Sequence, residues 1–121
     1  MNSRQKGARG ERMFRDMFRE AGFEARRGQQ FSGGTDSPDV VVPALPDFHW
    51  EIKFCQVVKI KDWMAQAVRD AGAKPFPVVG HKRSNEEPLA TLRFKDLLTL
   101  IAHSDFVAAQ AHNTTQTNIN K

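Results

Sequence analysis

One cysteine, Cys55, stands among 121 residues, so no internal disulfide can form and no thiolate zinc site can be built from cysteine alone. No apolar run approaches the roughly 20 residues that a membrane span needs. The amino terminus is basic and polar, without a hydrophobic segment that would read as a secretory signal. There is no Gly-Lys-Ser/Thr loop to cradle a nucleotide phosphate and no Gly-x-Ser-x-Gly elbow to present a nucleophile. The four histidines, His49, His81, His103 and His112, show no paired metal spacing and no accompanying Glu-x-x-His helix. Nucleotide-loop, serine-elbow and histidine–zinc chemistries are thereby set aside. Cys55 lacks an evident activating partner and reads as a buried structural thiol. The expectation is a cytoplasmic protein with no membrane partner.

What is present is an apolar fraction of 40%, with nine Phe and two Trp, enough for one modest core and too little chain for two domains. The net charge of +4 is unevenly placed. Residues 1–27 hold eight Lys/Arg against four acids, and the remainder balances ten against ten. The whole excess thus lies on the first helix and the strand after it. Guanidinium forks engage phosphate oxygens in pairs, which suits nucleic acid. The alternative is a solvated helix with ion pairs such as Arg12–Asp16.

Ser3 can cap a helix that runs to about Ala21 and ends at Gly22. Its apolar stripe contains Met13, Phe14, Met17 and Phe18. Glu11 shares a side with Phe14 and Phe18, so it points inward toward other acids or lies near a frayed end that favours carboxylates. Gly7 and Gly10 weaken a helix, which suggests close passage of a strand or a DNA backbone. Phe23 to Arg27 reads as a strand with Arg26 and Arg27 on opposite faces. Gly28 to Ser37 reads as a mobile polar loop suited to touching a phosphodiester. A second helix spans about Lys61 to Ala71, ending at Gly72, and Gln66 beside its apolar stripe either reaches the active side of the sheet or lies on the surface. Pro75 to Gly80 and Leu89 to Arg93 read as strands and Phe94 to His103 as a helix, with His81-Lys82-Arg83 a basic loop. One domain over 1–103 is expected, followed by a polar, disordered tail over 104–121.

The informative stretch is Ser37 to Phe54. Asp39 leads the β-branched run Val40-Val41-Val42, which Pro43 stops. Phe48 to Phe54 alternates strictly, with Phe48, Trp50, Ile52 and Phe54 on one face and His49, Glu51 and Lys53 on the other. A hairpin symmetric about Leu45 pairs residues summing to 90, which sets Asp39 opposite Glu51. Two such carboxylates repel unless a cation or proton intervenes. Lys53 follows on the same face, and His49 is expected at the hairpin end, away from the acids.

Pro38-Asp39 followed by Glu51-Ile52-Lys53 resembles the PD-(D/E)XK nuclease superfamily. The order of elements resembles its α/β fold, a restriction-endonuclease-like αβββαβ core whose central mixed sheet is flanked by helices. The opening Lys6-Gly7-Ala8-Arg9-Gly10-Glu11-Arg12 with Pro38-Asp39-Val40-Val41 is similar to archaeal-type Holliday junction resolvases. Trp50-Glu51-Ile52-Lys53 and the helix with Trp63, Gln66 and Arg69 are similar to small phage-encoded endonucleases. The resemblance implies Glu11, Asp39 and Glu51 as metal-site acids, Lys53 as catalytic lysine, and a homodimer acting on branched or four-way DNA, in the host cytoplasm if phage-encoded. Asp39, Glu51 and the Ile52 carbonyl would suit Mg²⁺ or Mn²⁺. Arg9, Arg12, Arg26, Arg27, Lys82 and Arg83 are the candidate DNA contacts, with either Arg26 or Arg27 near the site. A phage-type nickase without junction preference and a non-catalytic DNA-binding module are the alternatives.

Overall fold

The computed structural model describes residues 3–28 and 38–106. The expected loop contact between 29 and 37 and most of the expected tail lie outside these residues. The elements run α1 (Ser3–Glu20), β1 (Arg26–Arg27), β2 (Val40–Val41), β3 (Phe48–Phe54), α2 (Ile60–Ala71), β4 (Phe76–Lys82), β5 (Leu89–Leu92) and α3 (Phe94–Ala102). The strands form one mixed sheet in chain order. Among the described strands only the β3–β4 pair is parallel, and there the helix α2 makes the crossover.

The two faces of β3 are covered by different helices. Beneath α1, Ile52 packs with Val40, Val42 and Ala25, and Phe14, Phe18 and Trp50 close over them. Beneath α2, Val79 packs with Trp63 and Ala67. The face carrying His49, Glu51 and Lys53 is therefore no solvated charged face: His49 is 0% exposed and Glu51 3%. Gly10 explains the close seat of α1, since a Cβ there would stand 3.1 Å from the Phe54 Cβ and 3.4 Å from the Ile52 Cγ2. A strand, then, is what passes Gly10; Gly7 has no such neighbour.

Helix α1 stops at Glu20, and Gly22 follows in the left-handed region at φ 97°, open to glycine at little cost. Gly72 ends α2 in the same region. Pro77 sits inside the sheet without breaking it. Phe76 donates its N–H to the Asp47 carbonyl on the β3 side, so Pro77's missing donor faces the β5 side, where pairing begins only at Val78. Strand β4 runs further than expected, through Lys82. His81 and Lys82 thus belong to the sheet and only Arg83 to the turn, because pairing with β3 on one edge and β5 on the other continues to His81. Strand β1 is conversely shorter than expected, limited to Arg26–Arg27.

Candidate active site

The predicted register holds: Val40 pairs with Trp50. At Asp39, however, the ladder shifts by one, since the Asp39 N–H also points to the Trp50 carbonyl, at 2.9 Å. Two residues of one strand addressing one residue of the next is the mark of a β-bulge, a device that re-aims a side chain. Here it re-aims a carboxylate. Asp39 Oδ2 accepts the Ile52 N–H at 2.8 Å, taking the place of a backbone carbonyl in the ladder. The acid of the Pro-Asp strand is thereby fastened to the middle of the Glu-x-Lys strand. Within a strand the N–H and C=O of one residue point the same way, so the Ile52 carbonyl faces the Asp39 side.

Glu11 approaches from α1. It is mid-helix and 7% exposed, not at a frayed end. Arg27 donates to its Oε1 from Nε at 3.1 Å, with Nη2 at 3.0 Å. This settles which arginine reaches the acids: Arg27 pairs with Val40 and shares its face, whereas Arg26 pairs with Val41 and takes the other. Burial raises the Glu11 carboxyl above its ordinary value and the nearby Asp39 charge raises it further, with Arg27 and Arg12 opposing.

Glu51 and Lys53 lie on the α2 face of β3. Lys53 Nζ donates to Gln66 Oε1 at 2.8 Å, so the glutamine of α2 does reach the active side. Glu51 Oε1 stands 2.8 Å from His49 Nε2, both side chains buried. His49 is therefore beside the acids and not away from them. Its place at the start of β3 suggested the hairpin end, but the strand is flanked by β4 from Phe48 onward and covered by α2. The shared parity of residues 49 and 51 was the signal available in the sequence.

Asp39 joins the two sides, bonded next to Glu51 and electrostatically felt by Glu11. The three carboxylates do not converge into one group: among the described residues, no three or more of His, Cys, Asp and Glu are placed to hold a metal ion together. Two hard carboxylate oxygens plus a backbone carbonyl remain a donor set that fits Mg²⁺ or Mn²⁺.

The basic residues divide. Arg9 Cζ and Lys82 Nζ flank the Phe54 ring at 5.8 and 5.6 Å, at the end of β3. Next to them an open groove of about 560 Å³ is lined by Lys6, Lys53 and Lys59 with Phe54. Arg12 is exposed beside Glu11. Arg83 pairs with Glu86 at 3.7 Å in the turn beyond β4, and Arg26 is exposed on the face opposite Arg27. No described helix is long and apolar enough to cross a membrane. Cys55 is half-buried rather than buried, packed against the cluster of Trp63, Ala67 and Val79.

Among solved structures, the chain is similar to Archaeoglobus fulgidus Hjc, a Holliday junction resolvase from an archaeal hyperthermophile. Identity is 25%, 72% of each chain is covered, and the TM-score is 0.53. No curated protein sequence matches this chain. The mixed five-stranded sheet and flanking helices described above match the fold of that structure. Residues 2–121 match the family described as "Phage putative PDDEXK endonuclease", and the chain belongs to that family.

Proposed function

We propose that this protein is a Mg²⁺- or Mn²⁺-dependent DNA endonuclease acting on branched DNA, four-way junctions in particular, as a homodimer. The observation that carries the reading is the 2.8 Å bond between Asp39 Oδ2 and the Ile52 N–H, because it fixes the acid of one strand beside Glu51 and Lys53 of the next. Asp39, Glu51 and the Ile52 carbonyl would hold the ion. When bound, a divalent cation supplies charge neutralisation at the scissile phosphate and a more acidic water.

The chain's own groups do the rest. Lys53 holds the attacking water or offsets charge on the phosphate, and Gln66 keeps its ammonium on the α2 side while leaving other N–H donors for substrate. Glu11 supports the ion through water, and Arg27 balances its charge. Arg9, Lys82 and the lysines of the groove track the phosphodiester backbone, with Arg12, Arg26 and Arg83 as outlying contacts. The junction preference rests on likeness to a resolvase. Dimerisation is supported by the apolar face of α3 and β5, where Phe94 is 71% and Leu98 52% exposed.

The test is incubation with a labelled four-way junction, its matched duplex and single-stranded DNA, with Mg²⁺ and with EDTA. Paired cuts in the junction, absent in EDTA, are expected. Equal cutting of the duplex would make it a nickase without junction preference. Binding with no cleavage under Mg²⁺ or Mn²⁺ would make it a DNA-binding module.

A further inference from the structure

We infer that His49 is a positioning residue for the active site, orienting the Glu51 carboxylate for the divalent cation. The inference rests on the nuclease reading above and assigns within it a role to a side chain outside the Pro-Asp and Glu-x-Lys pattern. His49 is wholly buried, and Nε2 stands 2.8 Å from Glu51 Oε1. A carboxylate oxygen only accepts, so the hydrogen of this bond belongs to Nε2. Nδ1 faces the interior, and among the described residues it has no hydrogen-bond partner.

That arrangement is hard to explain by packing. A buried polar atom without a partner costs stability, and an apolar ring would fill the same space without that cost. Among the described residues, the hydrogen bond that the imidazole makes is the one to Glu51. With Oε1 engaged, Glu51 turns about its last bond less freely, and Oε2 is the oxygen that His49 leaves for a cation. Hydrogen bonds of this kind, from a fixed donor to a ligating carboxylate, commonly govern metal affinity.

The test compares His49→Gln with His49→Asn and His49→Leu. A glutamine amide can place its N–H near the Nε2 position, an asparagine amide reaches only the Nδ1 position, and leucine has no donor. Mn²⁺ binding is measured by titration calorimetry and folding by far-ultraviolet circular dichroism and a thermal melt. Cleavage is followed as a function of Mn²⁺ concentration. The expected result is that the Asn and Leu variants fold but bind Mn²⁺ about 10–100-fold more weakly, while Gln restores most of the affinity. Their cleavage should recover at high Mn²⁺.

If the wild type binds Mn²⁺ and cleaves, and His49→Asn matches it, His49 has no such role. If His49→Asn fails to fold while His49→Gln folds, the histidine is structural and the inference is overturned. A wild type that neither binds Mn²⁺ nor cleaves overturns the nuclease reading itself, a different outcome from either of these.

Discussion

Glu11 carries opposing influences that give it a pH signature. Burial and the Asp39 charge raise its carboxyl above the ordinary value, and Arg27 opposes them. The folded state thus binds this proton more tightly than the unfolded chain does. Its stability cost is absent below the unfolded value, grows as pH rises through the raised folded value, and is full above it. Glu11→Gln removes the cost while keeping an oxygen for Arg27. The melting temperature of the variant relative to wild type should therefore become more favourable as pH rises above the ordinary glutamate value of 4.5 and through the raised folded value. A difference that does not change with pH would mean that Glu11 is not buried beside Asp39. At this scale the sequence was legible where parity decides, as in Glu51 and Lys53 sharing a face and Glu11 lying on the inner side of its helix. It was silent on what those groups touch. That Arg27 rather than Arg26 reaches Glu11 depends on the pairing of β1 with β2, and the contact between His49 and Glu51 depends on burial by a strand and a helix that follow later in the chain.

Among the elements, the β1–β2 seam is the most demanding. Gly28 donates its N–H to the Asp39 carbonyl at 2.9 Å, and a Cβ on Gly28 would overlap the Pro38 carbonyl oxygen. Backbone cannot yield as a side-chain tip does, so Gly28→Ala must shift β1, the bulge, or both. Destabilisation of about 1–3 kcal/mol is expected in denaturant unfolding, together with reduced cleavage because Asp39 and Arg27 move. An alanine variant as stable and active as wild type would show that the bulge does not set the site. The hairpin register summing to 90 could be read from turn residues and alternation, and Val40–Trp50 pairing agrees with it. The bulge could not be read, because it depends on Asp39 supplying the ladder acceptor for Ile52 from its side chain. The longer β4, likewise, comes from pairing on both edges rather than from any local signal in His81-Lys82.

For the whole molecule, the basic excess and the apolar face of α3 and β5 make separate predictions. Arg9→Ala and Lys82→Ala should each weaken DNA binding across sequences and lower the salt dependence of log K by about one. Fluorescence anisotropy over a salt series measures this, and an unchanged slope would remove these residues from the interface. Leu98→Glu places a charge on the exposed apolar face and should convert a dimer to a monomer in sedimentation velocity without loss of helix. A wild type that sediments as a monomer at all accessible concentrations would count against the dimer. The order of elements, and with it the family fold, was legible from helix stops at Gly22 and Gly72 and from strand alternation. The split of the site between two helix-covered faces was not, since alternation shows which residues share a face but not which helix covers it.

The most direct measurement is Mn²⁺-dependent cleavage by wild type, Asp39→Ala and Lys53→Ala, with DNA binding of each followed by mobility shift in Ca²⁺. Wild type should cut, each variant should lose roughly 10²–10³-fold or more in cleavage rate, and all three should retain comparable affinity for DNA. Undiminished cutting by either variant, or wild-type cutting that persists in EDTA, would contradict a cation-dependent site built from Asp39, Glu51 and Lys53.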